Sequence, residues 1–497
     1  MTSEVITSPW RESTYPRTGL RTLIVGAGAA GKALARDLHR VHEFGLQPVG
    51  FLDDDPTKRS VRHLPVLGSL SDVLRVATEE CIDVVVLAIP GLPEADVARL
   101  ATAAARVGAS VRRLPSFVAL LQRDVVGTDM RSLDVSRLIG RSELHVASPE
   151  VGEIIEGKTV LVTGAGGSIG SELCRQVNGF GPSRLVMLDH DESNLHRLQL
   201  ELRGEAFLDS QDAVVADIRD AERMCQVMGQ YRPHVVFHAA ALKHLPMLEQ
   251  HPCEGVKSNV QGTDNVLRAA VASGVERFVV ISTDKAADPT SVLGATKALA
   301  EQVVKAHAGG RTMVSAVRFG NVLGSRGSLL PVLVAQMAAG RELTVTHPDV
   351  TRYFMTIEEA VGLVLEAAHL TTGFETFVLD MGEPVRIVDL VANFARQLDV
   401  PDVRIRFTGL RPGEKLHEAL FSETEECLPT LHPRIFGAHA APAHEDFDEL
   451  MASLYDAARR NAADEVRSRL GDALPGYRPD PVGALDLVTP APYPDDY

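Results

Sequence analysis

Two parts of the sequence combine a short apolar run, a glycine turn and an amphipathic segment. Residues 21–40 read RTLIVGAGAAGKALARDLHR, and residues 158–177 read KTVLVTGAGGSIGSELCRQV. This order predicts a β-strand, a tight turn and a helix in each part. Because strands that alternate with helices form parallel sheets covered on both faces, we expect an α/β protein with two Rossmann-like, doubly wound domains.

Further apolar runs extend both units. In the first unit, they predict strands at residues 48–53, 65–68, 83–90 and 110–115. In the second unit, they predict strands at residues 159–163, 184–189, 213–217, 234–238, 277–282 and 312–318. A doubly wound sheet binds its ligand beyond the carboxyl ends of its strands, so the functional site is expected there.

The chain has 497 residues, which is too many for one hydrophobic core, and the patterns divide it into four parts. We expect an N-terminal Rossmann-like domain at 1–125, a connector at 126–157 and a catalytic domain with a small C-terminal substrate lobe at 158–425. Residues 426–497 are expected to form a C-terminal helical tail, with a helix over 445–470 and a frayed acidic end.

Composition and charge remove several classes of function. Asp and Glu outnumber Lys and Arg by 66 to 50, and the net charge of −16 argues against nucleic-acid binding, which needs an excess of positive charge. The five cysteines form no CxxC pair, so neither a metal site nor a disulfide framework is expected. The sequence contains neither a signal-peptide pattern nor a run of about 18 apolar residues. We therefore expect a soluble cytoplasmic protein without a membrane partner.

The second glycine turn has the spacing of a dinucleotide site. In TGAGGSIG, Gly164 allows the tight turn, Gly167 lets the backbone approach a pyrophosphate, and Gly170 permits close packing of helix and strand. The helix N-terminus would then receive the phosphates. Asp189 ends the next strand, where a carboxylate accepts hydrogen bonds from ribose hydroxyls and repels a 2′-phosphate. The sequence therefore predicts NAD rather than NADP.

Two neighbouring features leave alternatives open. Asp217 ends the third strand, where it either faces the adenine or caps the next helix. The first glycine turn, GAGAAG, is followed by FLDDDP at the end of the next strand. That turn either binds a nucleotide or only allows close packing, and its ligand stays open.

The segment at 281–301, ISTDKAADPTSVLGATKALAE, ends one strand and begins a helix. Short-chain dehydrogenases carry a Tyr and, four residues later, a Lys at this place. Lys297 occupies the Lys position, but Leu293 stands where the Tyr belongs and cannot carry a proton. One interpretation is an inactive site. The adjacent Thr283, Asp284 and Lys285 favour an active one, because a hydroxyl, a carboxylate and an amine in one pocket suit proton transfer.

Six longer motifs resemble one known family. They are AALKHLPMLE (240–249), NVQGTDNV (259–266), STDKAADPTSVLGATK (282–297), VRFGNVLGSRGSLLP (317–331), TRYFMTIEEA (351–360) and RPGEKLHEAL (411–420). The sequence is thus similar to the polysaccharide-biosynthesis nucleotide-sugar dehydratases, extended short-chain dehydrogenases that act as UDP-N-acetylglucosamine 4,6-dehydratases. The N-terminal unit resembles that of the family's large membrane-bound branch, whose transmembrane helices we expect this sequence to lack.

The resemblance implies a reaction and roles for the catalytic residues. The sugar is oxidised at C4 with NAD, loses water across C5 and C6, and receives the hydride at C6. Lys285 would be the C5 base, Asp284 the acid at C6 and Thr283 the hydrogen-bond partner of O4, while Lys297 would hold the nicotinamide ribose. Without a Tyr, the O4 proton would pass to Asp284 or to an ordered water. Family members that lack this Tyr tend to retain the C5 configuration of the sugar. Because Leu293 replaces the Tyr here, retention at C5 is expected.

The resemblance also implies the binding residues and a homo-oligomer. The expected partner is a UDP-N-acetylhexosamine substrate. The implied cofactor contacts are Gly164, Gly167, Ser168, Ile169, Gly170, Asp189, Asp217, Ile218, Ala239, Ala240 and Lys297. The implied substrate contacts are Lys243, His244, Asn259, Asn321, Gly324, Ser325, Arg326, Arg352, Arg411, Glu414 and Lys415. Taken alone, His244 is also typical of a helix start or of a core.

Two other functions remain open at this stage. A nucleotide-sugar 4-epimerase uses the same scaffold, although it would normally need the missing Tyr. A catalytically silent protein that binds NAD or a sugar nucleotide for regulation is the other alternative, and Leu293 is its only support.

Overall fold

The computed structural model consists of two compact units, Met1–Asp124 and Val125–Tyr497. Its description covers residues 20–113, except 29–30, 33, 36–37, 39–45, 62, 90–95, 97–98, 101–102, 105 and 108, and residues 147–477, except 205–209, 339–340, 398–402, 440–445 and 475.

The N-terminal unit contains a six-stranded sheet. Its strands are β1 (Leu20–Val25), β2 (Leu46–Leu52), β3 (Ser60–Val61), β4 (Leu64–Gly68), β5 (Val84–Leu87) and β6 (Ser110–Arg113), and a helix, α1 (Val73–Glu79), follows β4. The strand order is β3-β4-β2-β1-β5-β6, and only the β3–β4 pair is antiparallel. The central strand β1 is completely buried at Leu23, Ile24 and Val25, whose side chains alternate between two apolar clusters.

The second unit contains a nine-stranded sheet. Its strands are β7 (Thr159–Thr163), β8 (Arg184–Asp189), β9 (Ala213–Val215), β10 (Val235–His238), β11 (Arg277–Ile281), β12 (Met313–Arg318), β17 (Phe374–Leu379), β20 (Glu426–Pro429) and β21 (Ile435–His439). The order is β20-β21-β17-β12-β11-β10-β7-β8-β9. The seven strands from β9 to β17 are parallel, whereas β21 and β20 continue the sheet antiparallel. The predicted α/β class with a doubly wound parallel sheet is confirmed.

Helices and short strands surround this sheet. The helices are α2 (Gly152–Ile155), α3 (Ser168–Gly179), α4 (Glu192–Arg203), α5 (Ala221–Tyr231), α6 (Leu245–Gln250), α7 (Pro252–Gly255), α8 (Gly262–Ala272), α9 (Val292–Ala306), α10 (Leu329–Ala338), α11 (Ile357–Leu370), α12 (Ile387–Gln397), α13 (Phe447–Arg459) and α14 (Ala463–Ala473). The short strands are β13 (Asn321–Val322), β14 (Leu343–Val345), β15 (Thr351–Arg352), β16 (Phe354–Met355), β18 (Val385–Arg386) and β19 (Ile405–Phe407). They pair as β13–β16, β14–β19 and β15–β18 after the parallel alternation ends.

The apolar alternation within the strands builds a core on each face of the nine-stranded sheet. In β7, Val160 and Val162 pack on the face that α3 and α11 cover, whereas Leu161 packs on the face that α8 and α9 cover. A strand that is apolar at every position is typical of a parallel sheet with helices on both faces. The carboxyl ends of the strands are left for the site.

The predicted connector is shorter than its proposed range of 126–157. Its residues 126–146 lie outside the described part of the chain. Within the remainder, Val151 and Ile155 are completely buried in the core of the second unit. Residues 147–157 therefore belong to the second unit, since their apolar side chains complete the layer next to α3.

The predicted C-terminal tail at 426–497 is likewise part of the domain. Its first residues form β20 and β21, and the helix predicted over 445–470 is two helices, α13 and α14. They are separated at Asn461, which has a φ of 55°. Leu454 and Leu470 are completely buried in the same apolar cluster as α8 and α9. The predicted frayed end, PAPYPDDY at 490–497, lies outside the described residues.

Candidate active site

The glycine turn after β7 is shaped by close backbone approaches. Gly164 has a φ of +67°, and a Cβ there would lie 2.6 Å from the backbone nitrogen of Ala240. A Cβ on Gly170 would collide with the carbonyl oxygen of Gly164. The N-cap of α3 is Gly167, and Ser168, Ile169 and Gly170 form its first turn. The turn therefore leaves an open cradle at the amide-rich end of a helix, which fits the pyrophosphate of a dinucleotide.

Asp189 is held against this turn. Its Oδ2 accepts a hydrogen bond from the Gly166 amide at 2.8 Å, and its Oδ1 accepts one from the Asp191 amide at 3.0 Å. Gly166 was not singled out by sequence, although a Cβ there would lie 2.5 Å from the Cβ of Asn194. The carboxylate is thus fixed beside the cradle, where the NAD prediction requires it.

Asp217 does not cap the next helix, because the N-cap of α5 is Asp220. Instead, it forms an ion pair with Arg219, with 2.6 Å between Oδ2 and Nη2. Although burial raises the pKa of Asp217, hydrogen bonds from Arg219 outweigh it and hold the pKa below its usual value. Of the two open interpretations of Asp217, capping is therefore wrong.

A cleft of ≈470 Å³ lies along these groups, between the carboxyl ends of β7, β8, β9 and β10. The predicted cofactor residues Gly164, Gly167, Asp189, Asp217, Ile218, Ala239 and Ala240 line it, together with Lys243 and His244 from the predicted substrate set. The cleft therefore joins the cradle to the segment that follows β10. Its position matches the expected ligand site of a doubly wound sheet.

His238 ends β10 beneath the cleft and was missed by the sequence analysis. Its Nδ1 lies 2.7 Å from the Thr163 hydroxyl, and its Nε2 lies 2.9 Å from the Thr263 hydroxyl. Because Thr263 donates its own proton to the carbonyl of Asn259, Nε2 is the donor and Nδ1 the acceptor. Burial and the charge of Lys297 lower the pKa of His238 to about 3, so the ring is neutral.

Asn259 corrects one substrate-binding prediction. Its side chain is completely buried, and it exchanges hydrogen bonds of 2.8 and 3.0 Å with the backbone of Leu242. It also donates to the Thr296 hydroxyl at 3.1 Å. With its amide group fully engaged, Asn259 cannot reach a ligand. It lies in a π-helical turn, Val256–Gln261, and holds the segment between β10 and α6 in place.

The three predicted catalytic side chains meet at the end of β11. Asp284 is completely buried, and its Oδ1 accepts hydrogen bonds from Thr283 at 2.9 Å and from the Lys285 amine at 3.0 Å. Its Oδ2 is buried without a partner among the described residues. Lys285 also donates to the Asn321 side chain at 3.3 Å. The structure thus brings together four predicted residues, Thr283, Asp284, Lys285 and Asn321, and leaves Oδ2 of Asp284 unsatisfied.

Two charges determine the protonation of Lys285. Burial lowers its pKa, but the negative charges of Asp284 and Glu418 outweigh burial and raise the pKa above the ordinary value. The side chain is 17% exposed, and Arg352 opposes the two carboxylates. Lys285 is therefore an ammonium group in this arrangement.

Lys297 and Leu293 both lie on α9. The Lys297 amine donates to the carbonyl of Ile281 at the end of β11, and burial lowers its pKa to about 8 despite the nearby Glu301. Leu293 is buried within the apolar core and presents no polar group. The geometry agrees with the sequence in leaving no acid–base group at the Tyr position.

The predicted substrate turn at 324–328 contacts the cofactor cradle. The Arg326 guanidinium donates to the Gly166 carbonyl, and its backbone amide donates to Ser168 at 3.2 Å. Lys243 donates to the Arg326 carbonyl at 2.7 Å and lies 3.4 Å from the Ser325 hydroxyl. Arg326 thus links the turn to the cradle, whereas the sequence placed it on the substrate.

Gly324 and Gly327 allow this turn to form. Both have positive φ, of 78° and 64°. A Cβ on Gly327 would lie 2.8 Å from the ring of His244, which occupies the N-cap position of α6. His244 is therefore a helix-start residue that also touches the substrate turn.

The predicted diphosphate grip is a chain of ion pairs. Glu414 accepts hydrogen bonds from Arg352 at 2.9 Å and from Arg411 at 3.0 Å. Although burial raises the pKa of Glu414, these two arginines lower it below the usual value. Lys415 takes no part in these ion pairs; its amine donates to the Ala287 carbonyl at 2.9 Å. Arg352 is 6% exposed, whereas Arg411 is exposed.

Glu418 connects the predicted diphosphate-binding arginine Arg352 to Lys285, and the sequence analysis did not identify it. Its Oε1 lies 3.5 Å from the Lys285 amine and 3.8 Å from Nε of Arg352. The signal was present in RPGEKLHEAL, where the sequence analysis assigned Arg411, Glu414 and Lys415 to the substrate but not Glu418. An acidic residue in a loop is usually solvated, and only packing reveals that this one is buried.

The fold and the cleft define a Rossmann-type α/β protein with a dinucleotide-shaped glycine turn. More particularly, the chain belongs to the polysaccharide biosynthesis protein family, whose model matches residues 160–440. This confirms the family resemblance of the motifs. A model described as a CoA-binding domain matches residues 4–115.

Individual proteins show the same similarity. The chain is 42% identical over 465 residues to the probable polysaccharide biosynthesis protein EpsC of Bacillus subtilis (strain 168), covering 91% of this chain and 76% of that protein. It is 39% identical to the capsular polysaccharide biosynthesis protein CapD of Staphylococcus aureus, covering 83% and 69%. The X-ray structure of Pen from Bacillus thuringiensis is similar at 32% identity and a TM-score of 0.53, covering 57% of this chain and 88% of that one.

None of the helices in the described ranges combines the length and apolarity that crossing a membrane requires. Within the same ranges, His, Cys, Asp and Glu side chains form no group of three or more that could hold a metal ion.

Proposed function

We propose that the chain is an NAD-dependent UDP-N-acetylglucosamine 4,6-dehydratase that produces a UDP-4-keto-6-deoxy-N-acetylhexosamine with retention at C5. Membership of the polysaccharide biosynthesis family supports a nucleotide-sugar substrate. The observation that carries the proposal is the buried Asp284–Lys285 pair, whose Asp284 Oδ2 has no partner among the described residues. Epimerisation at C4 needs no second acid and base, whereas elimination across C5 and C6 needs both.

The pair can supply the acid and the base in one proton transfer. Lys285 is an ammonium group and Asp284 accepts from it at 3.0 Å, so movement of one proton gives a neutral amine and a neutral carboxylic acid. The amine can then remove the C5 proton, and the acid can protonate the hydroxyl that leaves C6 as water. Return of a proton from Lys285 to the same face of C5 retains the configuration.

The remaining residues bind and orient. The Gly164–Gly170 turn and Asp189 would hold NAD, which supplies hydride acceptance from C4 and hydride return to C6. Thr283 would hydrogen-bond O4. The proton of the O4 hydroxyl would pass to an ordered water, because Leu293 has no ionisable group. Arg352 and Arg411, aligned by Glu414, would bind the diphosphate through paired hydrogen bonds.

The test is the reaction in heavy water. We expect purified protein with NAD and UDP-N-acetylglucosamine to form a 4-keto sugar with a C6 methyl group and deuterium at C5, detected by NMR and mass spectrometry. UDP-N-acetylgalactosamine as the product would instead establish the 4-epimerase. Absence of any product with retained NAD would favour the silent regulator.

The Asp284→Asn variant tests whether Asp284 protonates the hydroxyl that leaves C6. Since the amide cannot protonate the leaving hydroxyl, methyl formation should fall by about 100-fold or more, while NAD stays bound. Thr424→Ala is a suitable control, because Thr424 is exposed and its hydroxyl lies 2.9 Å from that of Ser422, away from the Asp284–Lys285 pair in sequence. Turnover of Asp284→Asn at the wild-type rate would reject the role of Asp284.

A further inference from the structure

The loop at 411–420 is hydrogen-bonded to two segments, one at Thr351 and one at Thr290. The Leu416 carbonyl accepts from the Thr351 amide at 3.1 Å, and the Thr351 hydroxyl lies 2.9 Å from the ring of His417. On the other side, Thr290 donates to the Gly413 carbonyl at 3.1 Å. The backbone that leads into Glu418 is therefore held in place at Gly413, Leu416 and His417. His417 is exposed, and the next residue, Glu418, is buried.

Glu418 is a buried carboxylate shared by two cations. Its side chain is 2% exposed, with Oε1 at 3.5 Å from Lys285 and 3.8 Å from Arg352. Its Oε2 is buried and has no hydrogen-bond partner within the described residues. Removing a carboxylate from water in this way is costly, so its position calls for a function beyond folding.

The acceptors around Lys285 form a three-point support. An ammonium group has three N–H donors, and Asp284 Oδ1, Asn321 Oδ1 and Glu418 Oε1 lie at 3.0, 3.3 and 3.5 Å from the amine. Asp284 must exchange a proton during the proposed reaction, so it cannot serve as a constant anchor. Asn321 and Glu418 are the two acceptors that remain unchanged.

We propose that Glu418 is a positioning residue for the C5 base: its Oε1 holds the Lys285 amine in reach of C5 and ties it to the arginine that grips the diphosphate. The inference rests on the proposed dehydratase function. Because the carboxylate touches Lys285 and Arg352 at once, seating of the diphosphate and placement of the base share one anchor.

Position and charge predict opposite effects when Glu418 is changed. The groups that face Lys285 are Asp284, Glu418 and Arg352, together with the neutral Asn321. Loss of the Glu418 charge makes the ammonium easier to deprotonate, which by itself speeds removal of the C5 proton. If removal of the C5 proton becomes slower when the Glu418 side chain is truncated, the Lys285 amine must therefore be misplaced.

Glu418→Ala removes both the charge and the acceptor oxygen. We expect kcat to fall about 100-fold, the loss typical of a misplaced reacting group, with a much smaller change in KM. Since C4 oxidation does not use Lys285, the reduced nicotinamide should accumulate after rapid mixing with UDP-N-acetylglucosamine and be visible by its ultraviolet absorbance. Deuterium entry at C5 should slow in parallel.

Glu418→Gln keeps an acceptor oxygen, which the adjacent Lys285 and Arg352 will draw towards themselves. It should restore kcat to within about threefold of wild type. The matched control is Glu414→Ala, since Glu414 contacts Arg352 and Arg411, whereas Lys285 contacts Asp284, Asn321 and Glu418. It should raise KM without any accumulation of reduced nicotinamide.

The outcomes separate this inference from the proposed function. If wild-type protein forms no 4-keto-6-deoxy sugar, the proposed function fails whatever Glu418 does. If wild type forms it, the inference is overturned by a Glu418→Ala variant with wild-type kcat, by loss of reduced nicotinamide together with product, or by a Glu418→Gln variant as slow as Ala. Retained NAD in the purified variants verifies that they are folded.

Discussion

Single buried polar residues connect the ends of neighbouring strands beneath the cleft. His238 ends β10 and lies opposite Thr163, which ends β7, and its second nitrogen contacts Thr263 on α8. In its neutral form the ring accepts at Nδ1 and donates from Nε2, so both nitrogens are satisfied. Because the ring is completely buried, protonation within the fold would place a positive charge in the core, near that of Lys297.

His238 should make the stability depend on pH in the acid range. Its pKa is about 3 in the fold and about 6.5 when unfolded, so between these values the unfolded chain binds more protons. The free energy of unfolding should therefore decrease as pH falls from about 6.5 towards 3, by up to about 1.4 kcal/mol per pH unit from this group.

His238→Gln should lose this component of the slope, measured by denaturant unfolding at a series of pH values. The exposed His196 on α4 gives the matched control, and His196→Gln should keep the wild-type slope. Parallel curves for wild type and His238→Gln would contradict the assignment.

The residues proposed to be catalytic show how far reasoning from single residues reaches. Thr283, Asp284 and Lys285 are consecutive, so their proximity follows from the chain itself. Glu418 and Asn259 reach this region only through packing. Glu418 has the sequence context of a solvated acid, yet it is buried beside Lys285. Asn259 was predicted to contact a ligand, yet its side chain is hydrogen-bonded to the backbone of Leu242. Local sequence contains no measure of burial for either side chain.

At the scale of elements, the cradle depends on how closely α3 approaches β7. The Gly164 turn and the start of α3 meet at Gly170, where there is no space for a Cβ. Helix and turn therefore form one unit, and displacement of α3 would move the amides that receive the phosphates.

Gly170→Ala should disrupt this unit. We expect a loss of about 1–3 kcal/mol in the free energy of unfolding from overpacking, together with loss of bound NAD. Gly179→Ala in the same helix is the matched control, because a Cβ there meets nothing within 4 Å. It should retain NAD and be neutral or more stable by up to about 1 kcal/mol. Equal NAD content in the two variants would refute the tight-packing argument.

At the scale of the whole unit, the C-terminal helices complete the core of the second unit. Leu454 on α13 and Leu470 on α14 are buried with Leu299 of α9 and Leu267 of α8 in one apolar cluster. The faces that α8 and α9 turn towards this cluster are thus covered within the chain. The homo-oligomer expected from the family resemblance stays a prediction, and would have to use other surfaces.

Leu470→Ala should destabilise the second unit as a whole. A cavity at a completely buried leucine costs about 2–5 kcal/mol, and the main unfolding transition should shift by that amount. Leu431→Ala provides the control, because Leu431 is 95% exposed and its loss should change stability by less than about 0.5 kcal/mol. A separate, early transition in Leu470→Ala with an unchanged main transition would indicate an independent tail.

The sequence by itself determined the order of strand, turn and helix and the glycines of the cradle. β7 and β8 have the predicted limits, because apolar periodicity and glycine conformations are local properties of the chain. The site residues that adjoin a strand end, such as Asp189 and Asp284, could be predicted for the same reason.

Only the tertiary structure decided which distant groups meet. The Lys285–Glu418–Arg352 chain, the His238 pair of hydrogen bonds and the inclusion of α14 in the core all join segments that are far apart in sequence. Such pairings depend on burial and on packing between elements, which change the energetic cost of a charge or a polar group without changing its identity. A residue type therefore states what chemistry is available, and its surroundings decide whether that chemistry is used.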